Sequence, residues 1–174
     1  HLRQWGGNPV VTWLGDPKRA PTDARVSLDR ALAVGVVFSD SPPVGLDADD
    51  LIVDALLGIG ATRAPGGRMA DWIRQINDGK VPVLAVDVPS GLDCDTGQPV
   101  GGAQSNALES NAVVKARHTL TLLTCKPGLF TAYGRDFAGA VWFDDLGVRP
   151  RIEDASAMIN IAADSSHRPH ASHK

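Results

Sequence analysis

Leu51-Ile52-Val53-Asp54-Ala55-Leu56-Leu57-Gly58 and Val81-Pro82-Val83-Leu84-Ala85-Val86-Asp87-Val88 are near-continuous apolar runs of strand length, each broken by a single aspartate. Strands that are apolar on both faces belong inside a parallel sheet, where crossover helices cover both sides. Between the two runs, Met69, Trp72, Ile73 and Ile76 recur at i, i+3, i+4 and i+7. That stripe predicts an amphipathic helix over residues 68–77, ended by Gly79 and packed on the core. Strand, helix and strand in this order predict a right-handed βαβ crossover in a parallel sheet.

Working outward, residues 1–5 read as the last turns of a helix closed by Gly6 and Gly7, with its start lying before His1. Residues 9–14 form a short β-branched and aromatic run before the turn signal Gly15-Asp16-Pro17. Thr22 is the expected N-cap of a helix with Leu28, Ala31 and Leu32 on one face, stopped at Gly35. Strands are expected at 36–38, 118–124 and 139–143, with a surface loop over 39–50. From Arg151 the periodicity is lost, so residues 1–150 are expected to form one domain and residues 151–174 a linker.

The chain has 174 residues, 43% hydrophobic and 21% charged, with a formal net charge of −3. This suits one globular domain with a real core, and it is not basic enough to advertise nucleic acid. No apolar run approaches the roughly 20 residues of a membrane helix, and no signal peptide is read. Cys94 and Cys125 lack a paired-motif spacing, so both are expected to be bystanders in a reducing cytoplasm.

Asp54 and Asp87 are the first candidates for chemistry. Burying an unpaired carboxylate costs several kcal/mol, so each must find a donor, a cation or a proton. On neighbouring parallel strands both would lie near the crevice at the carboxyl ends, where open α/β sheets bind ligands; alternatively, each caps a nearby loop amide. The two glycines in Gly58, Ile59, Gly60, Ala61, Thr62, Arg63 and Ala64 would let backbone approach a phosphate or ribose, although a lone G-x-G more often marks a tight turn. Pro89-Ser90-Gly91-Leu92-Asp93 reads as a compact loop with exposed carbonyls suited to a hard cation. Ser90 lacks the G-x-S-x-G setting of a nucleophile. Lys126-Pro127-Gly128-Leu129 reads as a type II turn with Lys126 on the surface. His118 is expected to be a satisfied packing residue. The string His167, His170 and His173 lies in the tail and is not expected to bind metal.

The order of Asp54-Ala55-Leu56-Leu57-Gly58 and Val86-Asp87-Val88-Pro89-Ser90-Gly91-Leu92-Asp93 resembles the NAD(P)H-hydrate epimerase domain of the YjeF N-terminal type. Three later blocks, at residues 118–122, 126–129 and 144–148, are similar to that family as well. The resemblance implies a Rossmann-like three-layer α/β sandwich with a mostly parallel sheet, its N-terminal part missing. It further implies interconversion of the R and S forms of hydrated NADH and NADPH, with potassium as the cofactor. Asp54 and Ser90 resemble the potassium ligands, Gly58 to Ala64 the loop contacting the hydrated nucleotide, and Asp87 a substrate-binding residue. Asp87 is also the acid/base candidate, because inversion at the hydrated carbon needs proton movement while the ring-nitrogen lone pair assists departure of the hydroxyl.

Two features depart from the family pattern. Its Asn- and Gly-rich phosphate loop, which supplies a further potassium ligand, would precede His1, and Ile59 stands where a small hydroxyl residue is usual. In the tail, Arg168-Pro169 and Ser172-His173-Lys174 resemble the opening of an ADP- or ATP-dependent dehydratase domain, so the parent chain is expected to be bifunctional. The expected partner is a small-molecule substrate, with a homo-oligomer also in view. The competing reading is a non-catalytic nucleotide-binding or protein-interaction module, since fold alone does not decide function.

Overall fold

The computed structural model describes residues 1–101 and 112–148. The tail after residue 150, with its histidine string and dehydratase-like residues, lies outside them. The architecture is α/β. Strand β1 (Val10–Thr12), helix α1 (Thr22–Ala33) and strand β2 (Val37–Ser39) lead into β3 (Ile52–Asp54), α2 (Arg68–Asp78) and β4 (Val83–Val86). Then come β5 (His118–Leu122), the short helix α3 (Gly134–Ala138) and β6 (Ala140–Asp144).

Every strand ladder among the described residues is parallel, as expected. The strands nevertheless fall into two sheets, β1-β2 and β3-β4-β5-β6, rather than one. No ladder joins β1 or β2 to β3, so among the described residues β3 has a strand partner on one side only. Leu51 and Val53 remain about half exposed there, which corrects the expectation of a strand buried on both faces.

Local signals explain most element ends. Gly6 and Gly7 close the first turn with Gly7 N–H on the Leu2 carbonyl and Gly6 N–H on the Arg3 carbonyl. This 6→1 and 5→2 pair is the Schellman pattern, although residues 2–6 form a turn rather than the expected helix. The same pair recurs at Gly35, where Val36 N–H meets the Ala31 carbonyl and Gly35 N–H the Leu32 carbonyl. Thr22, in contrast, is the first helical residue and makes no cap; Pro21 holds the cap position without a side-chain bond. Residues 51–57 form a shorter strand than their apolarity suggests, because the Leu56 and Leu57 amides turn to the side chains of Asp54 and Ser90.

The core lies in the four-stranded half. Ile73 of α2 packs with Val83 and Val114, supported by Ile52, Leu56, Met69 and Ile76. A second cluster gathers Val88, Leu92, Val113 and Leu129 with Phe137 and Ala138 of α3. Asn77 ties α2 to this half through its side-chain amide, which donates to the Val113 carbonyl and accepts from Lys115 N–H, both at 2.8 Å. The 126–129 segment is a 3₁₀ turn, not a type II turn. Gly128 is needed for close approach rather than positive φ, since a Cβ there would lie 2.3 Å from the Asp93 carbonyl oxygen.

Candidate functional site

β3 ends in Asp54, and one strand away the chain leaves β4 into Pro89-Ser90-Gly91. Asp54 and Ser90 are each 1% exposed. The Ser90 hydroxyl donates to Asp54 Oδ1 at 2.6 Å, the Ser90 amide donates to Oδ2 at 2.8 Å, and the Leu56 amide reaches Oδ1 at 3.3 Å. Ser90 Oγ in turn accepts from Leu57 N–H at 2.9 Å and lies 3.4 Å from the Leu57 carbonyl oxygen. Burial pushes the Asp54 carboxyl above its usual range, against the lowering influence of the Ser90 hydroxyl and amide and of the Leu56 amide.

Gly91, at φ +90, occupies the position of this turn that requires a left-handed backbone. Contrary to the expectation of exposed carbonyls, those of 89–91 are engaged within the fold. They accept from Leu92, Val114 and Val100 amides respectively, so the oxygens offered to a cation here are those of Asp54, Ser90 Oγ and the Leu57 carbonyl. A buried carboxylate with no cationic partner among the described residues, beside a hydroxyl and a carbonyl oxygen, fits a monovalent cation by the chemistry of its donors.

Asp87 follows β4 immediately, with φ +72. Its amide extends the β4-β5 ladder to the Leu120 carbonyl at 2.7 Å, and the next amide, Val88 N–H, folds back on the Val86 carbonyl at 3.0 Å. An i to i+2 hydrogen bond about a positive φ marks a γ-turn of the rare, strained hand. β5 ends alike: Leu123 has φ +65, and Thr124 N–H bonds the Leu122 carbonyl at 2.7 Å. Strain of this kind, about 1–3 kcal/mol per residue, persists only where surrounding structure over-determines it, and it clusters at functional sites.

The surrounding structure here is Lys126. Expected on the surface, it is 8% exposed, and its ammonium donates both to Asp87 Oδ1 and to the Leu122 carbonyl. Leu122 N–H also donates to Asp87 Oδ1, at 3.1 Å. Asp87 Oδ2 has no hydrogen-bond partner among the described residues, and the Asp87 side chain keeps 20% of its surface exposed. Asp54 and Asp87 therefore stand on adjacent strands but turn to different partners, Asp54 to Ser90 and Asp87 to β5 and Lys126. Sequence reasoning missed Lys126 because only the β4-β5 pairing brings it to Asp87.

The 58–64 loop runs along the exposed surface beyond β3, held by one turn bond from Ala61 N–H to the Gly58 carbonyl. Open space surrounds Gly58 and Gly60 where side chains would stand, and Ile59 and Arg63 are exposed. His118 opens β5 as expected, yet its Nδ1 is buried without a partner among the described residues, so it is not fully satisfied. Cys94 and Cys125 are unpaired, and burial raises both thiols, Cys94 also through the charges of Asp95 and Asp93.

Residues 1–128 match the family described as YjeF-related protein N-terminus. The chain is 39% identical over 152 residues to a bifunctional NAD(P)H-hydrate repair enzyme of Leishmania major, covering 85% of this chain and 25% of that protein. It is 38% identical over 131 residues to the bifunctional NAD(P)H-hydrate repair enzyme Nnr of Escherichia coli, covering 75% and 24%. Against the NAD(P)H-hydrate epimerase of Levilactobacillus brevis it is 35% identical over 161 residues, covering 88% and 67%. The chain thus spans about a quarter of the bifunctional relatives and about two thirds of this single-function one. The family match over residues 1–128 and these relatives at 35–39% identity, on a mostly parallel α/β fold, make the chain a member of the YjeF-related N-terminal family.

Proposed function

We propose that this chain carries the epimerase reaction on hydrated NADH and NADPH, within a longer protein that also holds a dehydratase driven by ADP or ATP. The observation that carries this reading is Asp87: a carboxylate fixed at a strand end, with one oxygen uncommitted, one strand away from the Asp54-Ser90 pair.

The hydrated carbon lies next to the ring nitrogen. A proton delivered to its hydroxyl lets the carbon–oxygen bond break while the nitrogen lone pair forms a carbon–nitrogen double bond, and water departs. Water then adds to the opposite face and returns the proton, so that atoms and charge balance. Asp87 Oδ2 is the group assigned to exchange that proton. The exposed 58–64 loop, including Gly58, Gly60 and Thr62, is assigned to the nucleotide, with Arg63 available to its phosphates.

Asp54, Ser90 Oγ and the Leu57 carbonyl would hold potassium, which when bound supplies a fixed positive charge beside the ligand. Cytoplasmic location and self-association belong to the same proposal. Among the described residues no helix is long and apolar enough to cross a membrane.

The test is to follow R-to-S conversion of hydrated NADH by the protein and by Asp87→Asn. A loss of about 10² to 10⁴-fold in kcat is expected for the loss of an acid/base group. Full activity in that variant would remove Asp87 from the chemistry. A protein that binds the hydrate without converting it would favour the non-catalytic module.

A further inference from the structure

We propose that Lys126 is the positioning residue of the Asp87 carboxylate: it clamps the two strand-end γ-turns together and leaves Oδ2 as the single oxygen free to exchange a proton. This rests on the epimerase reading. Its geometry involves three contacts that close on one another. The Lys126 ammonium donates to Asp87 Oδ1 and to the Leu122 carbonyl, while the Leu122 amide donates to the same Oδ1.

The Leu122 carbonyl also receives Thr124 N–H, so the lysine grips the turn at Leu123 as well as the one at Asp87. An ammonium is costly to bury unless acceptors surround it, and this one is buried at a place where two non-glycine residues hold positive φ. A lysine that only filled space would leave Asp87 free to relax. One bonded to both turns fixes which carboxylate oxygen is committed and which is not. Reacting groups must be held to within about half an ångström to be productive, so this orientation acts on the chemical step.

The test compares Lys126→Met and Lys126→Arg in the full chain, with hydrated NADH as substrate. Lys126→Met is expected to lower kcat about 100-fold, the scale of one acid/base contribution, with KM changed by less than about threefold. Lys126→Arg, whose guanidinium donates to two acceptors at once, should restore about tenfold of that loss. Amide hydrogen exchange at Val88 and Thr124 should quicken by about tenfold in the Met variant and return toward normal in the Arg variant.

Unchanged kcat together with unchanged exchange in Lys126→Met overturns the proposal, as does a rise in KM alone, which signifies lost ground-state binding. Should Lys126→Met fail to fold, Lys126→Gln, which keeps a donor without the charge, replaces it under the same criteria. If the unsubstituted protein converts no hydrate, the epimerase reading fails, and the exchange comparison at Val88 and Thr124 still decides the clamp.

Discussion

Helices α1 and α2 both carry apolar residues at helical spacing, with the sharper stripe on α2, and they meet different surroundings. On α2, Ala70, Trp72 and Ile73 are buried, Ile73 against Val83 of β4 and Val114. On α1 no residue is buried; Ala24, Leu28 and Ala31 are half covered and Leu32 is more than half exposed. The strands differ in the same way, since Val10 and Val37 of the two-stranded sheet stay about half exposed while Thr119 and Thr121 of β5 are fully buried. Periodicity tells which face of an element will be covered if something covers it. Whether cover arrives depends on contacts far away in the chain. Among these, Arg68 at the start of α2 reaches across to the Asp40 carbonyl beyond β2 and stacks over Trp72.

The contrast can be broken first at glycine. A Cβ on Gly134 would fall 1.8 Å from the Gly128 carbonyl oxygen, so Gly134→Ala must displace backbone in the dense half; denaturant unfolding should show a loss above about 3 kcal/mol. Gly35→Ala meets nothing within 4 Å and bears only its φ of +76, a cost of about 1–2 kcal/mol. Equal losses would erase the distinction between the halves. Next, Ile73→Ala should cost about 2–5 kcal/mol as a buried large-to-small change, and Leu32→Ala no more than about 0.5 kcal/mol; the denaturation midpoints at unchanged slope measure both.

A smaller effect sharpens the reading of Asp54. Potassium chloride, compared with lithium or choline chloride at equal ionic strength, should raise the melting temperature, with up to about 2.7 kcal/mol gained when the cation reaches 100 times its Kd. Asp54→Asn should abolish the difference, and an unselective salt response would remove the cation from this pair. The smallest effect is at Asp93. Burial pushes its carboxyl up, but the Thr96 amide and hydroxyl and the Asp95 amide outweigh it and leave it below its ordinary value. A depressed carboxylate contributes stability above its unfolded pKa of about 3.9 and loses it as pH falls through the lower folded value. Asp93→Asn should therefore flatten the acid side of the stability profile below about pH 4 and leave neutral behaviour little changed.

Much of the site was legible in one dimension. Asp54, Asp87 and Ser90 interrupt or follow apolar runs, and polar groups so placed need partners. The structure supplies Ser90 for Asp54, a choice that the sequence leaves open between an amide cap and a cation. The extent of the strands was less legible, because Leu56 and Leu57 leave the β3 ladder for side-chain partners. Nothing near Lys126 in the chain distinguishes it from a surface lysine before a Pro-Gly turn.

By itself the sequence determined the order of the later elements, their parallel character, the turn closed at Gly6-Gly7 and the helix ends at Gly35 and Gly79, because apolar period and backbone freedom are properties of neighbouring residues. Only the tertiary structure decided that β3 pairs with β4 and not with β1 or β2, that the carbonyls of 89–91 are already engaged and that Asp87 belongs with Lys126. Those outcomes depend on which strands lie side by side, and burial and pairing are settled by residues 33 to 39 positions apart.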